Sequence, residues 1–469
     1  MERQLILPME EKYREYLIDE SKFSGEADSI SFPATQDEVI IIVNEMRKKQ
    51  SRITIQSGKT GIAGGAVPKG GHIMNLSELK GYIDSGIFDD GTAFITVEAG
   101  MNLMELNREI SRRFKRHQYF WPPQPTEVSA AVGGILASGA KGINSSYYGD
   151  SRQYVQRLRM VTADGGVLEL ERGADHEELD MILGGEGLTG VITAATLKLV
   201  PKPECVWGIS FFFENRTDAG LFAERLKECS RTAGAHIEAA EYLDRTAIDL
   251  IEQRKETMTK IKELPDVPAG INGMVYLEIA GEEAAVEEMA GALMEEADEC
   301  GSDSDQAWAV LGDTEIEKMQ AFRHAAAETA NLLIEEVRRA DGRIRKLGTD
   351  MALVGRSFGE TLKIYRDDIE KAGLKASIFG HIMNNHLHVN ILPEDYQQYI
   401  RGCNLIDRWT QEYAFGDNCL AVEHGIGKLK NHLVDLILTK DQQDRIRRMK
   451  ERYDPQGMWN QGNIFKEGR

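Results

Sequence analysis

Short alternations of apolar and polar residues occupy much of the first 200 residues. This pattern is typical of strands. The predicted strands are residues 29–32, 52–56, 93–98, 158–162, 167–170 and 192–199. An Asp-Gly-Gly sequence at residues 164–166 predicts a hairpin turn between two of them. Thr35 and Glu38 form a capping box that predicts a helix around residues 39–46.

After residue 207 the pattern changes to strands separated by longer helical periods. The spacing predicts one strand-helix-strand unit followed by a second, similar one. The predicted elements are residues 209–213, 218–232 and 236–240 in the first unit, and 273–279, 284–300 and 307–311 in the second. Tandem units of this kind favour an antiparallel sheet covered by helices. We therefore expect an α+β chain whose second domain forms a lid.

Length and charge narrow the classes of function. The chain has 469 residues, of which 42% are apolar, and this is enough for two or three packed units and a large buried cofactor. Its 56 basic and 76 acidic residues give a net charge of −20. Because such a surface repels phosphate backbones, the charge argues against nucleic acid as the ligand.

The sequence also bears on the cellular compartment. The amino terminus lacks the basic-then-apolar pattern of a signal peptide, and no apolar run reaches the roughly 18 residues of a membrane span. The cysteines form no Cys-x-x-Cys pair, which argues against a disulfide framework or a cysteine-ligated cluster. They are Cys205, Cys229, Cys300, Cys403 and Cys419. We expect a cytoplasmic protein without a transmembrane segment, peripheral to a membrane only through a partner.

Three glycine-rich segments suggest one extended ligand. The first, residues 57–68, directly follows the predicted strand 52–56 and has four glycines in a turn. Glycine has no Cβ atom, so its backbone N–H groups approach phosphate oxygens closely. The segment has neither the Rossmann nor the Walker spacing. Together with residues 133–139 and 184–192, it predicts a cradle for a pyrophosphate.

Histidines are concentrated near the carboxyl end. His381, His386, His388 and His424 are four of ten histidines and fall within 44 residues, beside Glu423. Two nitrogens from His381 and His388 with one oxygen from Glu423 would suit zinc, iron or manganese and leave positions open for a substrate. His386 would share a strand face with His388. The alternative is that these histidines are hydrogen-bonded groups of the core or surface.

The order of these motifs resembles a known family. The chain is similar to the FAD-linked 2-hydroxy-acid dehydrogenases of the vanillyl-alcohol oxidase and p-cresol methylhydroxylase flavoprotein family. That group includes D-lactate dehydrogenases, D-2-hydroxyglutarate dehydrogenases and the flavin subunit of glycolate oxidase. The resemblance covers nearly the whole chain and rests on the loop 57–68, Gly133-Gly134, Gly185-Glu186-Gly187, Asp454-Pro455 and the segment 460–465.

The resemblance implies three regions. Residues 1–205 would form a two-part FAD-binding domain. Residues 206–415 would form a substrate or cap domain with a helix-covered antiparallel sheet. Residues 416–469 would return to the FAD domain and complete the active site.

The resemblance further implies that the glycine-rich segments bind FAD. The loop 57–68 would hold the pyrophosphate, and the segments around Gly133 and Glu186 would line the flavin. The residues implied in cofactor binding are Ser57, Gly58, Lys59, Thr60, Gly61, Gly64, Gly65, Pro125, Gly133, Gly134, Ser138, Gly139, Glu186, Gly187, Gly190, Ile192 and Asn460. The loop has no histidine or cysteine where some relatives carry a covalent flavin, so we expect dissociable FAD.

The implied chemistry is that of a flavoprotein oxidoreductase acting on a CH–OH group. His381, His388 and Glu423 would hold a divalent metal, namely zinc, iron or manganese. The metal would lower the pKa of the bound alcohol, and His424 would act as general base for the hydroxyl proton. The C2 hydride would pass to flavin N5.

The implied substrate is a small, lactate-like 2-hydroxy acid of the D configuration. Asn390 would position it and Arg323 would bind its carboxylate, with Lys430 as a weaker candidate. The chain departs from the family in two places. The usual Gly-Asp-Gly-Asn between the metal histidines is Met-Asn-Asn-His at residues 383–386, and Lys346 stands two residues too early for the lysine of the substrate strand. The metal and the side chain of the acid therefore stay open.

The electron acceptor is a separate partner in this interpretation. Electron-transferring flavoprotein, an iron-sulfur subunit, a quinone and a cytochrome are all open, because dispersed cysteines place any iron-sulfur relay on another chain. Two other interpretations remain: a redox-inactive FAD-binding scaffold subunit, and an oxidase of phenolic alcohols on the same fold. The histidines together with Glu423 argue against both.

Overall fold

The computed structural model describes residues 3–115, 119–353, 355–413 and 420–466. The chain divides into two compact units, the first formed by Met1–Lys202 with Glu423–Arg469 and the second by Pro203–Val422. The sequence predicts the first boundary after residue 205. The boundary predicted after residue 415 lies outside the described residues, as does Cys419.

The first unit begins with a small sheet in the order β1-β2-β4-β3. Its elements are β1 (Leu7–Pro8), β2 (Ser29–Ser31), α1 (Gln36–Lys48), β3 (Ile53–Gln56) and β4 (His72–Asn75). Strands β2 and β3 run parallel to β4. The buried face of α1, with Val39 and Val43, packs in one core with Ile53 and Met74 of these strands. This core fixes the end of β3, from which the loop 57–68 begins.

The start of α1 corrects one prediction. The Thr35 hydroxyl accepts a hydrogen bond from the Glu38 amide at 3.2 Å, as expected for an N-cap. The Glu38 carboxylate accepts a hydrogen bond from the backbone amide of Ala34 at 2.7 Å. In a capping box this hydrogen bond would come from the backbone amide of the N-cap residue, Thr35. The predicted reciprocal box is therefore wrong, and only its N-cap half is present.

A second, antiparallel sheet follows in the order β5-β6-β10-β8-β9. The elements of this region are β5 (Tyr82–Ile87), β6 (Ala93–Glu98), α2 (Leu103–Arg113), β7 (Tyr119–Phe120), α3 (Val132–Ser138), α4 (Ser145–Tyr148), β8 (Val155–Val161), β9 (Val167–Glu171), α5 (His176–Ile182), β10 (Val191–Lys198) and β11 (Val200–Pro201). Val161 pairs with Val167, which confirms the predicted hairpin. Gly165 takes the left-handed conformation that this turn needs, with φ of 82°.

The second unit contains an antiparallel sheet in the order β15-β12-β14-β13-β18-β19-β16, with β17 also paired to β19. Its elements are β12 (Cys205–Phe213), α6 (Arg216–Glu228), β13 (Ala235–Asp244), α7 (Arg245–Arg254), β14 (Gly273–Gly281), α8 (Glu283–Glu299), β15 (Trp308–Leu311), α9 (Asp313–Ala340), β16 (Leu347–Gly348), β17 (Met351–Ala352), α10 (Phe358–Lys371), β18 (Ala376–His381), β19 (His386–Ile391) and α11 (Tyr396–Tyr413). Helices α6 to α9 cover its central strands. The two predicted strand-helix-strand units and the α+β class are confirmed.

The chain returns to the first unit after residue 422. This segment forms α12 (Val434–Ile437) and α13 (Lys440–Tyr453). Beyond them Trp459 makes a parallel bridge with Ile53 of β3, so the carboxyl-terminal tail lies beside the strand that leads into the glycine loop. In the part of the chain that the structure describes, no helix combines the length and apolar character needed to cross a membrane.

Candidate active site

The loop after β3 is fixed at both ends by side-chain amides. Gln56 donates to the carbonyl of Ala66 at 2.6 Å, and Asn75 donates to the carbonyl of Ser57 at 3.2 Å. Within the loop Lys59 takes a left-handed conformation, with φ of 58°. Both ends of the loop are therefore held by the sheet, while its glycines form the turn between them.

The glycines of this loop have two different surroundings. A Cβ atom on Gly58 would lie 2.7 Å from the carbonyl oxygen of Ser129, so the close approach of these two segments requires glycine. A Cβ on Gly61 would meet no described atom within 4 Å beyond its chain neighbours. Gly58 thus serves packing, whereas the backbone at Gly61 borders open space of the kind that a ligand could fill.

Helix α3 repeats this contrast with adjacent glycines. A Cβ on Gly133 would lie 2.7 Å from the Cβ of Ala99, whereas one on Gly134 would meet no described atom within 4 Å outside its own helix. The Ser138 hydroxyl donates to the carbonyl of Gly134 at 2.8 Å, and Gly139 ends the helix with φ of 64°. The open side of α3 is therefore at Gly134.

Glu186 joins the third glycine segment to the returning chain. Its carboxylate accepts hydrogen bonds from the amide of Ile426 at 2.6 Å and from the amide of Gly427 at 2.8 and 3.0 Å. The Glu186 amide donates to the carbonyl of Ala137 in α3 at 2.7 Å. Burial raises the pKa of Glu186 above its ordinary value, and the amides of Gly427 and Ile426 act against this rise.

The Gly-Ile-Gly sequence after His424 is required by these contacts. A Cβ on Gly425 would lie 2.8 Å from a carboxylate oxygen of Glu186, and one on Gly427 would lie 2.1 Å from the carbonyl oxygen of Ala63. Both glycines have positive φ, 72° and 53°. The returning chain is therefore pressed between the glycine loop and Glu186, and this arrangement fixes the turn that carries His424.

The carboxyl-terminal tail completes the framework of the first unit. The side-chain oxygen of Asn460 accepts a hydrogen bond from the backbone amide of Ile55 in β3 at 2.8 Å, and its side-chain nitrogen donates one to the carbonyl of Glu186 at 2.8 Å. Lys428 donates to the carbonyl of Gly65 at 3.0 Å and to the side chain of Asn463 at 2.6 Å.

The predicted cofactor residues on these converging segments are Ser57, Gly58, Thr60, Gly61, Gly64, Gly65, Gly133, Gly134, Ser138, Gly139, Glu186, Gly187 and Asn460.

The remaining predicted cofactor residues have other surroundings. A Cβ on Gly190 would lie 2.5 Å from the carbonyl oxygen of Val161, so this glycine permits strand packing. Ile192 lies in β10 with its side chain in the hydrophobic core. Pro125 lies in the segment between β7 and α3. The ammonium of Lys59 donates to a backbone carbonyl at residue 15, at 2.8 Å.

In the second unit, strand pairing places a glutamate and two histidines in one row. Glu241 of β13 is opposite His381 of β18, and His381 is opposite His386 of β19. His388 lies two residues beyond His386 and therefore on the same sheet face. The ring centroids of His386 and His388 are 4.5 Å apart. One ring nitrogen from each of the three histidines lies within 4.8 Å of the other two.

The row is anchored by the buried carboxylate of Glu241, whose exposed fraction is 0%. One carboxylate oxygen lies 2.5 Å from Nδ1 of His381, and the other accepts a hydrogen bond from Nε of Arg323 at 2.7 Å. Burial alone would raise the pKa of Glu241, but the electrostatic attraction and hydrogen bonds of Arg323 and His381 outweigh it and lower the pKa to about 2. The carboxylate is therefore ionised and fixes the His381 ring, whose other nitrogen suits a metal.

The other side of the row is held from β17 and the residues before it. Nε2 of His386 lies 3.2 Å from a carboxylate oxygen of Asp350. The Thr349 hydroxyl donates to the carbonyl of Leu387 at 3.0 Å and accepts the amide of Val389 at 2.9 Å. These bonds fix the backbone between the two histidines of β19, so their side chains are held at a defined spacing.

The predicted substrate residues differ in their surroundings. Asn390 lies in β19 and is 3% exposed, and its side-chain oxygen would lie 3.0 Å from a Cβ placed on Gly348. Arg323 lies in α9 with Nε and Nη2 directed at Glu241. Lys346 lies directly before β16. Two of the three guanidinium nitrogens of Arg323 thus already face a carboxylate.

Glu423 and His424 lie in a half-buried turn where the chain passes from the second unit to the first. Three residues earlier, Leu420 makes an antiparallel bridge with Met351 of β17. Met351 is itself paired with Leu387, the residue between His386 and His388. The segment that leads to Glu423 is thus anchored in the sheet that carries the histidines.

Sequence reasoning missed several residues that organise these regions. Glu241 and Asp350 hold the histidines, and Lys428 and Asn463 hold the glycine loop. The strand itself did not single out Glu241, because β13 also carries the acidic residues Glu238 and Asp244. The partner of Glu241, Arg323, is 82 residues away along the chain, so no local pattern indicated the pair.

Two protein families together match most of the chain. The family described as FAD binding domain matches residues 27–171. The family described as FAD linked oxidases, C-terminal domain, matches residues 208–464. These matches confirm the resemblance on which the expected cofactor depends.

Curated relatives are distant but extend over nearly the whole chain. A D-lactate dehydrogenase of Anaerostipes hadrus is 24% identical and covers 98% of this chain and 94% of its own. The mitochondrial D-2-hydroxyglutarate dehydrogenase of Rattus norvegicus is also 24% identical, covering 91% of this chain and 76% of its own. Glycolate oxidase subunit GlcD of Bacillus subtilis is 24% identical, with coverages of 95% and 90%.

A solved structure shares the fold. An alkyldihydroxyacetonephosphate synthase aligns with a TM-score of 0.72 at 15% identity, covering 98% of this chain and 82% of its own. At this identity the likeness concerns the fold alone.

Proposed function

Since the chain belongs to the FAD linked oxidases, we propose that it oxidises a small D-2-hydroxy acid to the 2-oxo acid. FAD is its redox cofactor, and the protein is an oxidoreductase. The observation that carries the proposal is the row of His381, His386 and His388 beside the ionised Glu241. The names of the relatives, D-lactate and D-2-hydroxyglutarate dehydrogenases among them, support this class of substrate.

We assign FAD binding to the open glycines of the first unit. The backbones at Gly61 and Gly134 border space that no described side chain fills, and the neighbouring Gly58 and Gly133 are needed for packing. Amide groups in such turns suit phosphate oxygens. When bound, the flavin supplies the oxidising chemistry and accepts the C2 hydrogen with its electron pair. With no histidine or cysteine in the loop 57–68, we expect the cofactor to be dissociable.

A divalent metal fits the donors of the second unit. His381 and His388 offer imidazole nitrogens, and Glu241 orients the His381 ring. Glu423 is the proposed carboxylate ligand, because it follows Leu420, which is bridged to the histidine sheet. When bound, zinc, iron or manganese would polarise the hydroxyl of the substrate and lower its pKa.

The remaining roles fall to three side chains. His424 takes the hydroxyl proton, and the contacts of Glu186 with the amides after it hold its turn in place. Arg323 meets the substrate carboxylate through Nη1, because Nε and Nη2 already face Glu241. Asn390 positions the acid from its buried place in β19. The electrons leave through a separate acceptor, which we propose to be another protein or a quinone.

Anaerobic reduction of the purified holoprotein tests this function. The flavin spectrum is followed during addition of D-lactate, L-lactate, glycolate, D-2-hydroxyglutarate and, for the phenolic alternative, vanillyl alcohol. We expect one D-2-hydroxy acid to bleach the flavin within seconds. Bleaching by the phenolic alcohol alone, or by none of the compounds while dithionite still reduces the flavin, would overturn the proposal.

A further inference from the structure

We propose that His386 is a third imidazole ligand of the metal site, in addition to His381 and His388. This inference rests on the proposed function, because it concerns the same metal. It goes beyond the resemblance, which gives the metal two histidines and one glutamate and has asparagine at the place of His386. The extra imidazole changes which metals the site prefers.

The first support is the position of His386 in the sheet. It is directly opposite His381 and two residues before His388, so all three side chains leave the same face. The ring centroids of His381 and His386 are 5.5 Å apart, nearly the 5.6 Å that separates His381 from His388. His386 is therefore as close to the shared centre as the two histidines that the resemblance assigns.

The second support is the span of the donor atoms. Two nitrogens bound to one ion at the tetrahedral angle, each at about 2.1 Å, are about 3.4 Å apart. The selected nitrogens of the three histidines lie within 4.8 Å of one another. Ring rotations that shorten these separations by at most about 1.4 Å bring all three nitrogens onto one ion.

The third support is the rigidity of the hairpin that carries His386. Asn385, directly before it, takes a left-handed conformation with φ of 50° and accepts the ammonium of Lys227 at 2.8 Å. Thr349 holds the backbone on the other side of His386. A carboxylate oxygen of Asp350 lies 3.2 Å from Nε2 of His386, where a small turn of the ring would make it the carboxylate partner that metal-binding imidazoles commonly have. The backbone that carries the ring is thus fixed before any ion binds, and only the ring has to turn.

Three imidazoles would bias the site toward metals that prefer nitrogen. Imidazole suits zinc, iron, copper and nickel, whereas carboxylate and amide oxygens suit manganese and magnesium. His386→Asn replaces the nitrogen donor with the residue that the resemblance places there, so the variant is expected to fold. The change should weaken Zn²⁺ binding about tenfold or more and change Mn²⁺ binding far less.

The test measures the metals alone on the purified, FAD-loaded full chain. Zn²⁺ and Mn²⁺ affinities are obtained by competition with a chromophoric chelator for the wild type, His386→Asn and the control His176→Asn, whose histidine is exposed at the start of α5. X-ray absorption of the Zn²⁺ form counts bound imidazoles. We expect three in the wild type and two in His386→Asn, with a fall in the Zn²⁺ to Mn²⁺ affinity ratio only in that variant.

Three results would overturn the inference. Two imidazoles in the wild type with an unchanged affinity ratio in His386→Asn would remove His386 from the site and leave the proposed function standing. A wild type that binds neither metal, yet bleaches with a 2-hydroxy acid, would remove the metal from both proposals. A role confined to the fold would lower the stability of His386→Asn without moving the affinity ratio.

Discussion

Two glutamates show how differently the two units use a buried carboxylate. Glu186, in the first unit, accepts hydrogen bonds from neutral donors, the backbone amides of Ile426 and Gly427, and the charges of Lys428 and Lys430 act on it less strongly than these amides. Burial raises its pKa. Glu241, in the second unit, faces the guanidinium of Arg323 and the imidazole of His381, and its pKa falls to about 2 although burial opposes this. Both carboxylates are fixed, Glu186 mainly by backbone amides and Glu241 by the guanidinium of Arg323.

The two carboxylates differ because each one holds a different kind of group in place. In the first unit glycine turns and backbone amides form the framework, so the carboxylate serves as an acceptor for a chain segment. In the second unit strands present side chains from one face, and the carboxylate orients an imidazole and neutralises a guanidinium. Removing the charge should therefore cost more at Glu241 than at Glu186.

The largest effect is expected for Glu241→Gln. The substitution keeps the shape but leaves Arg323 buried without a counter-charge, which costs about 3–5 kcal/mol of unfolding free energy. Metal affinity should also fall about 10- to 100-fold, because His381 loses its orienting carboxylate. Urea unfolding and metal competition measure the two effects. The control Glu394→Gln, at an exposed pair with Lys375, should leave both unchanged, and an equal loss in the two variants would contradict the account.

A smaller loss is expected for Glu186→Gln. The amide group of glutamine would place a donor against the amide of Gly427, so about 1–3 kcal/mol of unfolding free energy should be lost. Because the turn that carries His424 loosens, kcat should fall more than KM rises. Urea unfolding and steady-state kinetics with the acid that bleaches the flavin give both values. Stability equal to the wild type would show that the contact does not hold the turn.

The adjacent glycines of α3, Gly133 and Gly134, test whether the first unit binds FAD. Gly134→Ala adds a methyl group to open space, so the apoprotein should keep or gain up to about 1 kcal/mol of stability while FAD affinity falls about tenfold. Gly133→Ala forces a clash with Ala99 and should lose about 1–3 kcal/mol. Thermal unfolding of the apoprotein and FAD titration separate them. FAD binding by Gly134→Ala equal to that of the wild type would place the flavin elsewhere.

The smallest effect concerns another buried group with neutral partners. His72 lies between the hydroxyls of Ser29 and Ser31, and burial lowers its pKa from 6.5 to about 3. The unfolded chain therefore binds the proton first, and stability is lost as the pH falls below 6.5 toward 3. Between pH 8 and pH 6 the loss should be about 1 kcal/mol. His72→Asn should flatten this part of the pH profile of urea unfolding, and an unchanged slope would contradict the assignment.

The fold was predictable where local pattern decides it. The period of two in residues 386–388 placed His386 and His388 on one strand face, and the apolar spacing after residue 207 gave the tandem strand-helix-strand units. Strand register over long separations was not predictable. Glu241 meets His381 across 140 residues, and neither residue carries a local sign of the other.

The candidate site was predictable in composition more than in contacts. The glycine clusters and histidines were found from the sequence, but the division between packing and open glycines depends on Ser129 and Ala99, which lie in other segments. Glu186 was expected to line the flavin, and its carboxylate also holds the returning chain. Arg323 was expected to meet substrate, and a partner that cannot be read locally, Glu241, occupies two of its nitrogens.

The most direct test of the central claim is anaerobic reduction of the flavin before and after removal of metal. The holoprotein is treated with chelator, desalted and mixed with the D-2-hydroxy acid that bleaches the untreated protein, and then with a divalent metal. We expect bleaching to stop with FAD still bound and to return when zinc, iron or manganese is added. Full-rate bleaching of the metal-free protein would contradict the account.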